Sequence, residues 1–278
     1  RGVAVLRYDS RGVGGSSGAP YQFTLADVAE DALAAIRYLK TRDDINPAQI
    51  GLCGQSQGAV VAPLAASGSE DVAFIICLAP FGIPGEEAHI AQMTSIARTD
   101  GASEEQVEGL VENWKRIIGL VRRKANEAEI KPLMTMMLKN QLVSTSQRGE
   151  KETGQDDIIV EAHLDCVLSM YNGPWFRFFI DYDPQAALEK VMCPRLFLFG
   201  ELDRQVPAEV NRTAILDVLK RSGNDDYTLK TIPKANHLFQ SANTGSPSEY
   251  MSLEKQFAPG FLEFMSDWVL RRVDIDTQ

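Results

Sequence analysis

Along the chain, short apolar runs without polar alternation are separated by stretches in which apolar residues return every three or four positions. Gly2-Val3-Ala4-Val5-Leu6, Ile50-Gly51-Leu52-Cys53, Val72 to Leu78 and Arg195-Leu196-Phe197-Leu198-Phe199 are four such runs, with Tyr227 to Ile232 as a fifth. Bounded by turn-forming residues and lacking a wet face, they predict strands buried on both sides. Between them, Leu25, Val28, Ala29, Ala32, Ile36 and Leu39 follow helical spacing behind Thr24 as N-cap. Gln57 to Ala66 predicts a helix of small residues. Ala208 to Leu219 predicts another, and Phe257 to Leu270 an amphipathic closing helix. Strands alternating with helices predict an α/β fold, a mostly parallel sheet flanked by helices.

That alternation stops from about residue 84 to about residue 185, where the pattern is helical, polar and rich in Met. A helical cap inserted after the third recognisable strand is therefore expected. The division is 1–83 for the first part of the core, 84–185 for the cap insertion and 186–278 for the second part. Within the insertion, Ser144 to Asp157 is polar enough for a loop.

Charge and cysteine usage remove several classes of function. The formal net charge of -10 repels a phosphate backbone or an anionic bilayer, so neither a nucleic acid nor a membrane is expected as partner. The basic triplet Arg122-Arg123-Lys124 sits among Glu112, Glu127 and Glu129 and reads as a solvated helix face. No run is long enough to predict a transmembrane helix. Four scattered cysteines with no CxxC pair give neither a disulfide scaffold nor a zinc site. Cys53 and Cys77 lie in apolar runs and are expected as buried free thiols, which point to the cytoplasm. The chain opens at Arg1 directly into an apolar run, which leaves room for a signal segment upstream.

Gly54-Gln55-Ser56-Gln57-Gly58 has the form G-x-S-x-G, between a predicted strand and a predicted helix. A tight turn there holds the serine in a strained backbone conformation and exposes its Oγ, and the flanking glycines are expected to relieve crowding. A serine hydroxyl needs a base, and the chain has three histidines. His89 and His163 fall in the insertion, where a structural role is the plainer account. His237 follows the last predicted strand, at the same sheet edge as Ser56. Asp203, just after Arg195 to Phe199, is the candidate acid that orients the imidazole. Capping of the next helix ahead of Pro207 is the alternative for Asp203, and Glu201 is the nearby competitor. The order Ser, Asp, His separates this chain from the two other familiar serine-protease arrangements.

Arg7-Tyr8-Asp9-Ser10-Arg11-Gly12-Val13-Gly14-Gly15-Ser16, Gly54 to Gly58, Gly200-Glu201-Leu202-Asp203 and Asn236-His237 together resemble the α/β-hydrolase superfamily. More narrowly they are similar to bacterial esterases of the dienelactone-hydrolase and prolyl-oligopeptidase-related branch, as is Cys77 to Glu87. The resemblance implies an acyl-enzyme on Ser56, with His237 as base, Asp203 as its acid partner and the Gln57 N–H in the oxyanion hole. It implies no cofactor and no metal. It also implies that the Asp9 to Ser16 loop is structural, its Asp and Arg pinning it near the serine turn.

In that superfamily a further strand separates the strand of Val3–Leu6 from that of Ile50–Cys53, and no residue before Arg1 supplies it. The expectation is that this chain is the C-terminal portion of a longer hydrolase. The alternatives are a partner chain or second copy filling the gap, or the two strands closing on each other. The function expected is a serine carboxylesterase acting on small, uncharged acyl esters. An aminopeptidase or thioesterase on the same triad, or a catalytically silent binding module, stands beside it. Met134, Met136, Met137, Met170, Trp175, Phe176, Phe178 and Phe179 could wall an acyl pocket, with packing of cap against sheet as the simpler account of the same residues.

Overall fold

The structure, a computed structural model, describes residues 1–146 and 155–273. Four parallel strands run side by side in sequence order: β1 (Leu52–Gln55), β2 (Ile75–Leu78), β3 (Arg195–Gly200) and β4 (Tyr227–Ile232). The two inner strands show why the apolar runs lack alternation. Ile75, Cys77, Phe197 and Phe199 face one side, where they pack with α2 (Gln57–Ala66), α8 (Gln185–Leu188) and α9 (Ala208–Arg221). Ile76, Leu196 and Leu198 face the other, against Phe261, Trp268 and Val269 of α10 (Phe261–Leu270). Both sides are dry, so both sets of positions are apolar.

Helix α1 (Leu25–Leu39) has the predicted bounds and a capping box, with Thr24 and Asp27 each accepting the other's backbone N–H. Its buried face, Leu25, Ala29 and Ala32, packs on Val60, Val61 and Ala65 of α2. Arg11 forks onto Asp31 of this helix through Nε at 2.6 Å and Nη2 at 2.8 Å, and Asp9 accepts the Gly15 N–H at 2.9 Å. Arg11 thus ties the Asp9 to Ser16 loop to α1, and Asp9 closes the loop on itself.

Predicted elements near both ends of the chain change. The run Gly2 to Leu6 is not a strand; residues 1–10 are irregular, and Val3, Val5, Leu6 and Tyr8 stay 41–79% exposed. A strand takes its hydrogen bonds from a neighbour, and none flanks this run among the described residues, so apolar content alone does not extend it. Closure of this segment onto β1 is excluded with it. The last helix begins at Phe261 rather than Phe257, because Pro259 and Gly260 (φ 79°) break the chain and Phe257 instead bridges to Gln240. On β1 the side away from β2 has no strand beside it among the described residues. Cys53 is exposed there, contrary to expectation, while Cys77 is buried on the inner strand.

Between β2 and β3 lie α3 (Gly85–Thr99), α4 (Glu104–Arg122), α5 (Glu127–Ser146), α6 (Gln155–Asn172) and α7 (Pro174–Asp181), followed by α8. They share a separate core of Trp114, Ile117, Ile118, Ile130, Leu168 and Phe176. Of the expected Ser144–Asp157 loop, both flanks are helical and residues 147–154 lie outside the described residues. Met134, Met137 and Phe176 are packed inside this core, while Trp175, Phe178 and Phe179 pack onto the α1–α2 layer. Packing therefore accounts for these six, while Met136 is 38% exposed and Met170 belongs to neither core.

Candidate active site

Strand β1 ends at Gln55 and α2 begins at Gln57, so Ser56 makes the whole turn. Its backbone sits at φ 54° and ψ -113°, a region costly for any residue with a Cβ. Two features hold it there. The Ser56 N–H donates to Leu78 O at 2.8 Å, and Ser56 O accepts from Ala59 N at 2.9 Å. Gly54 is required, since a Cβ on it would collide with the Gly58 carbonyl; at Gly58 a Cβ would meet nothing. Only one of the two glycines therefore relieves crowding. The serine side chain makes no cap bond to α2. The Gln57 N–H opens the helix, where no earlier helical carbonyl accepts it and the dipole favours a developing negative charge.

Asp203 and His237 come from the loops after β3 and β4, and both side chains are buried. His237 Nδ1 donates to Asp203 Oδ2 at 2.9 Å. The other carboxylate oxygen, Oδ1, accepts from Gln205 N at 2.9 Å and Val206 N at 2.8 Å. Asp203 therefore closes its own loop with one oxygen and meets the imidazole with the other. Helix α9 starts only at Ala208 with Pro207 as its N-cap, so Asp203 does not cap it directly. Glu201 faces elsewhere: its Oε2 accepts the Lys234 N–H at 2.7 Å.

The histidine loop approaches β3 so closely that a Cβ on Gly200 would strike the carbonyls of Ala235 and Asn236. Asn236 Oδ1 shapes the turn, accepting from Leu238 N and Gln240 N at 2.9 and 3.0 Å. The two glutamines beside Ser56 each reach a different element. Gln55 Nε2 donates to His237 O at 2.7 Å, and Gln57 Oε1 accepts from Trp175 Nε1 of α7 at 3.0 Å. Neither role was visible in the sequence, where both glutamines are the variable positions of the motif. No hydrogen bond joins Ser56 Oγ to His237 Nε2 among the described residues; without substrate such contacts are often long and tighten on binding.

A parallel sheet whose loops gather a strained serine turn and a buried Asp–His pair at one edge defines a hydrolase-type α/β protein. The sequence profile of the alpha/beta hydrolase family matches residues 1–249, and the chain belongs to that family. Esterase EstD of Thermotoga maritima is 24% identical over 252 residues, which are 90% of this chain and 50% of that protein. Thiohydrolase apmlB of Arthrinium phaeospermum is 36% identical over 84 residues, 30% of this chain and 27% of that one. The chain spans half or less of the length of these curated relatives. Among solved structures, the alpha/beta hydrolase GrgF from Penicillium sp. sh18 superposes with a TM-score of 0.52 at 17% identity, covering 95% of this chain and 78% of that one. At that identity the likeness is one of fold.

Proposed function

We propose that the protein is a serine carboxylesterase that cleaves small, uncharged acyl esters through an acyl-enzyme on Ser56. Ser56 Oγ attacks the ester carbonyl while His237 Nε2 takes its proton. Asp203 holds the imidazole with Nδ1 protonated and stabilises the imidazolium that forms. The Gln57 N–H donates to the tetrahedral oxyanion, a contact whose loss typically costs about 100- to 1000-fold in rate. The alcohol leaves with the proton from His237, and water, activated by the same nitrogen, frees the acid. The helical stretch 84–185 acts as a cap over this edge, and the free thiols fit a cytoplasmic setting.

The observation that carries this reading is the buried Asp203–His237 hydrogen bond at the sheet edge where Ser56 is held at φ 54°. The test is labelling by a fluorophosphonate probe together with turnover of p-nitrophenyl acetate and butyrate. Ser56→Ala is expected to abolish labelling and to lower kcat by about 10⁴- to 10⁶-fold. Unchanged labelling in that variant would end the proposal. The thiohydrolase relative supports a thioester substrate as a second reading. Comparing butyryl thioesters with p-nitrophenyl butyrate at equal concentration separates the two.

A further inference from the structure

Strands β1 and β4 are not neighbours; β2 and β3 lie between them. At about 4.8 Å per strand, the sheet alone separates the serine turn from the start of the histidine loop by about 14 Å. The loop after β4 therefore has to run across the strand ends to bring an imidazole towards Ser56. Its ties on the β3 side are several: Leu202 N donates to Ala235 O at 2.8 Å, Lys234 N to Glu201 Oε2 at 2.7 Å, and His237 to Asp203 at 2.9 Å. On the β1 side there is one. Among the described residues, the Gln55 side chain makes the only hydrogen bond between residues 51–58 and the loop 233–242, and it ends on the carbonyl of His237 itself.

We propose that Gln55 is a positioning residue that sets the distance between Ser56 and His237. Resting on the esterase reading above, this gives the residue before the nucleophile a role in the proton transfer without touching substrate. The imidazole's loop has several hydrogen bonds on the β3 side and, among the described residues, one neutral hydrogen bond on the β1 side. That bond ties the residue next to Ser56 to His237, and near-attack geometry is sensitive to shifts of about 1 Å. Gln55 sits at the exposed end of β1, so its side chain can be changed without opening the core.

The experiment compares Gln55→Met, which keeps the length and removes the donor, with Gln55→Lys, which restores a donor of similar reach. On p-nitrophenyl butyrate, Gln55→Met is expected to lower kcat about tenfold with KM held within about twofold, the pattern of an interaction lost in the transition state. Gln55→Lys is expected to recover most of that loss. In the same samples the low-field proton NMR resonance of the His237 Nδ1–H is expected to shift or broaden in Gln55→Met. An unmoved resonance with wild-type kcat overturns the proposal, as does an equally slow Gln55→Lys. Because the resonance does not depend on turnover, it still reports on Gln55 if Ser56 proves not to be the nucleophile.

Discussion

Two buried histidines mark two regions built on different principles. His237, at the sheet edge, is 6% exposed and His89, inside the helical insertion, is 4% exposed. His237 has a carboxylate at 2.9 Å and its loop is stitched by backbone hydrogen bonds. His89 is surrounded by rings: Trp114 at 4.2 Å edge to face, Phe176 at 5.2 Å and Tyr171 at 5.7 Å. Its Nε2 finds no hydrogen-bond partner among the described residues, and burial pushes its pKa down to about 4. One site supplies a counter-charge for an imidazolium; the other penalises it. What faces a buried histidine, not how deeply it lies, makes one region suited to an imidazolium and the other to a packing ring.

The largest expected effect breaks the first half of that contrast. Asp203→Asn keeps an oxygen for the Gln205 and Val206 N–H groups, so the loop stays closed, but its amide cannot accept from Nδ1–H. The imidazole is then held in the wrong tautomer, and kcat should fall by about 10⁴-fold with little change in thermal stability. A loss of less than tenfold in steady-state kinetics would show that the pair is structural.

The next effect sharpens the second half. In the unfolded chain His89 takes up a proton near its ordinary pKa of 6.5, whereas in the fold it resists until about 4. The unfolded state therefore binds more protons across that window, and stability falls as pH drops from 6.5 towards 4, by up to about 3 kcal/mol. Urea unfolding at pH 7 and pH 4.5 measures it. His89→Phe should flatten this part of the profile, and an equal loss in wild type and variant would assign the acid sensitivity elsewhere.

The smallest effect lies where the two regions meet. Trp175 stacks on Phe179 with centroids 5.7 Å apart and donates its indole N–H to Gln57. Trp175→Phe removes that hydrogen bond and keeps most of the ring, with an expected cost of about 1 kcal/mol. Thermal unfolding should register it as a shift of a few degrees, and kcat should change less than in Asp203→Asn.

Helices with strong local signals were legible from the chain alone. Thr24 caps α1 and Gln57 to Ala66 runs as read. Strand ends were less so: β1 is Leu52–Gln55 rather than Ile50–Cys53, because pairing with Ile75–Leu78 sets the register. The candidate serine, acid and base could each be named because each follows an apolar run. Nothing in the spelling of Gln55, Gln57 or Trp175 revealed their contacts, which join residues 182 and 118 positions apart.

Local chemistry determined that this chain would alternate strands with helices and carry a serine on a glycine-flanked bend, since apolar spacing and turn residues act over a few positions. Only the tertiary structure decided that Gly2 to Leu6 stays irregular, that Gly58 is dispensable for space, and that one of two buried histidines meets a carboxylate. Those outcomes depend on which distant backbone or side chain arrives alongside, and a strand, a clash or a counter-charge exists only once it has.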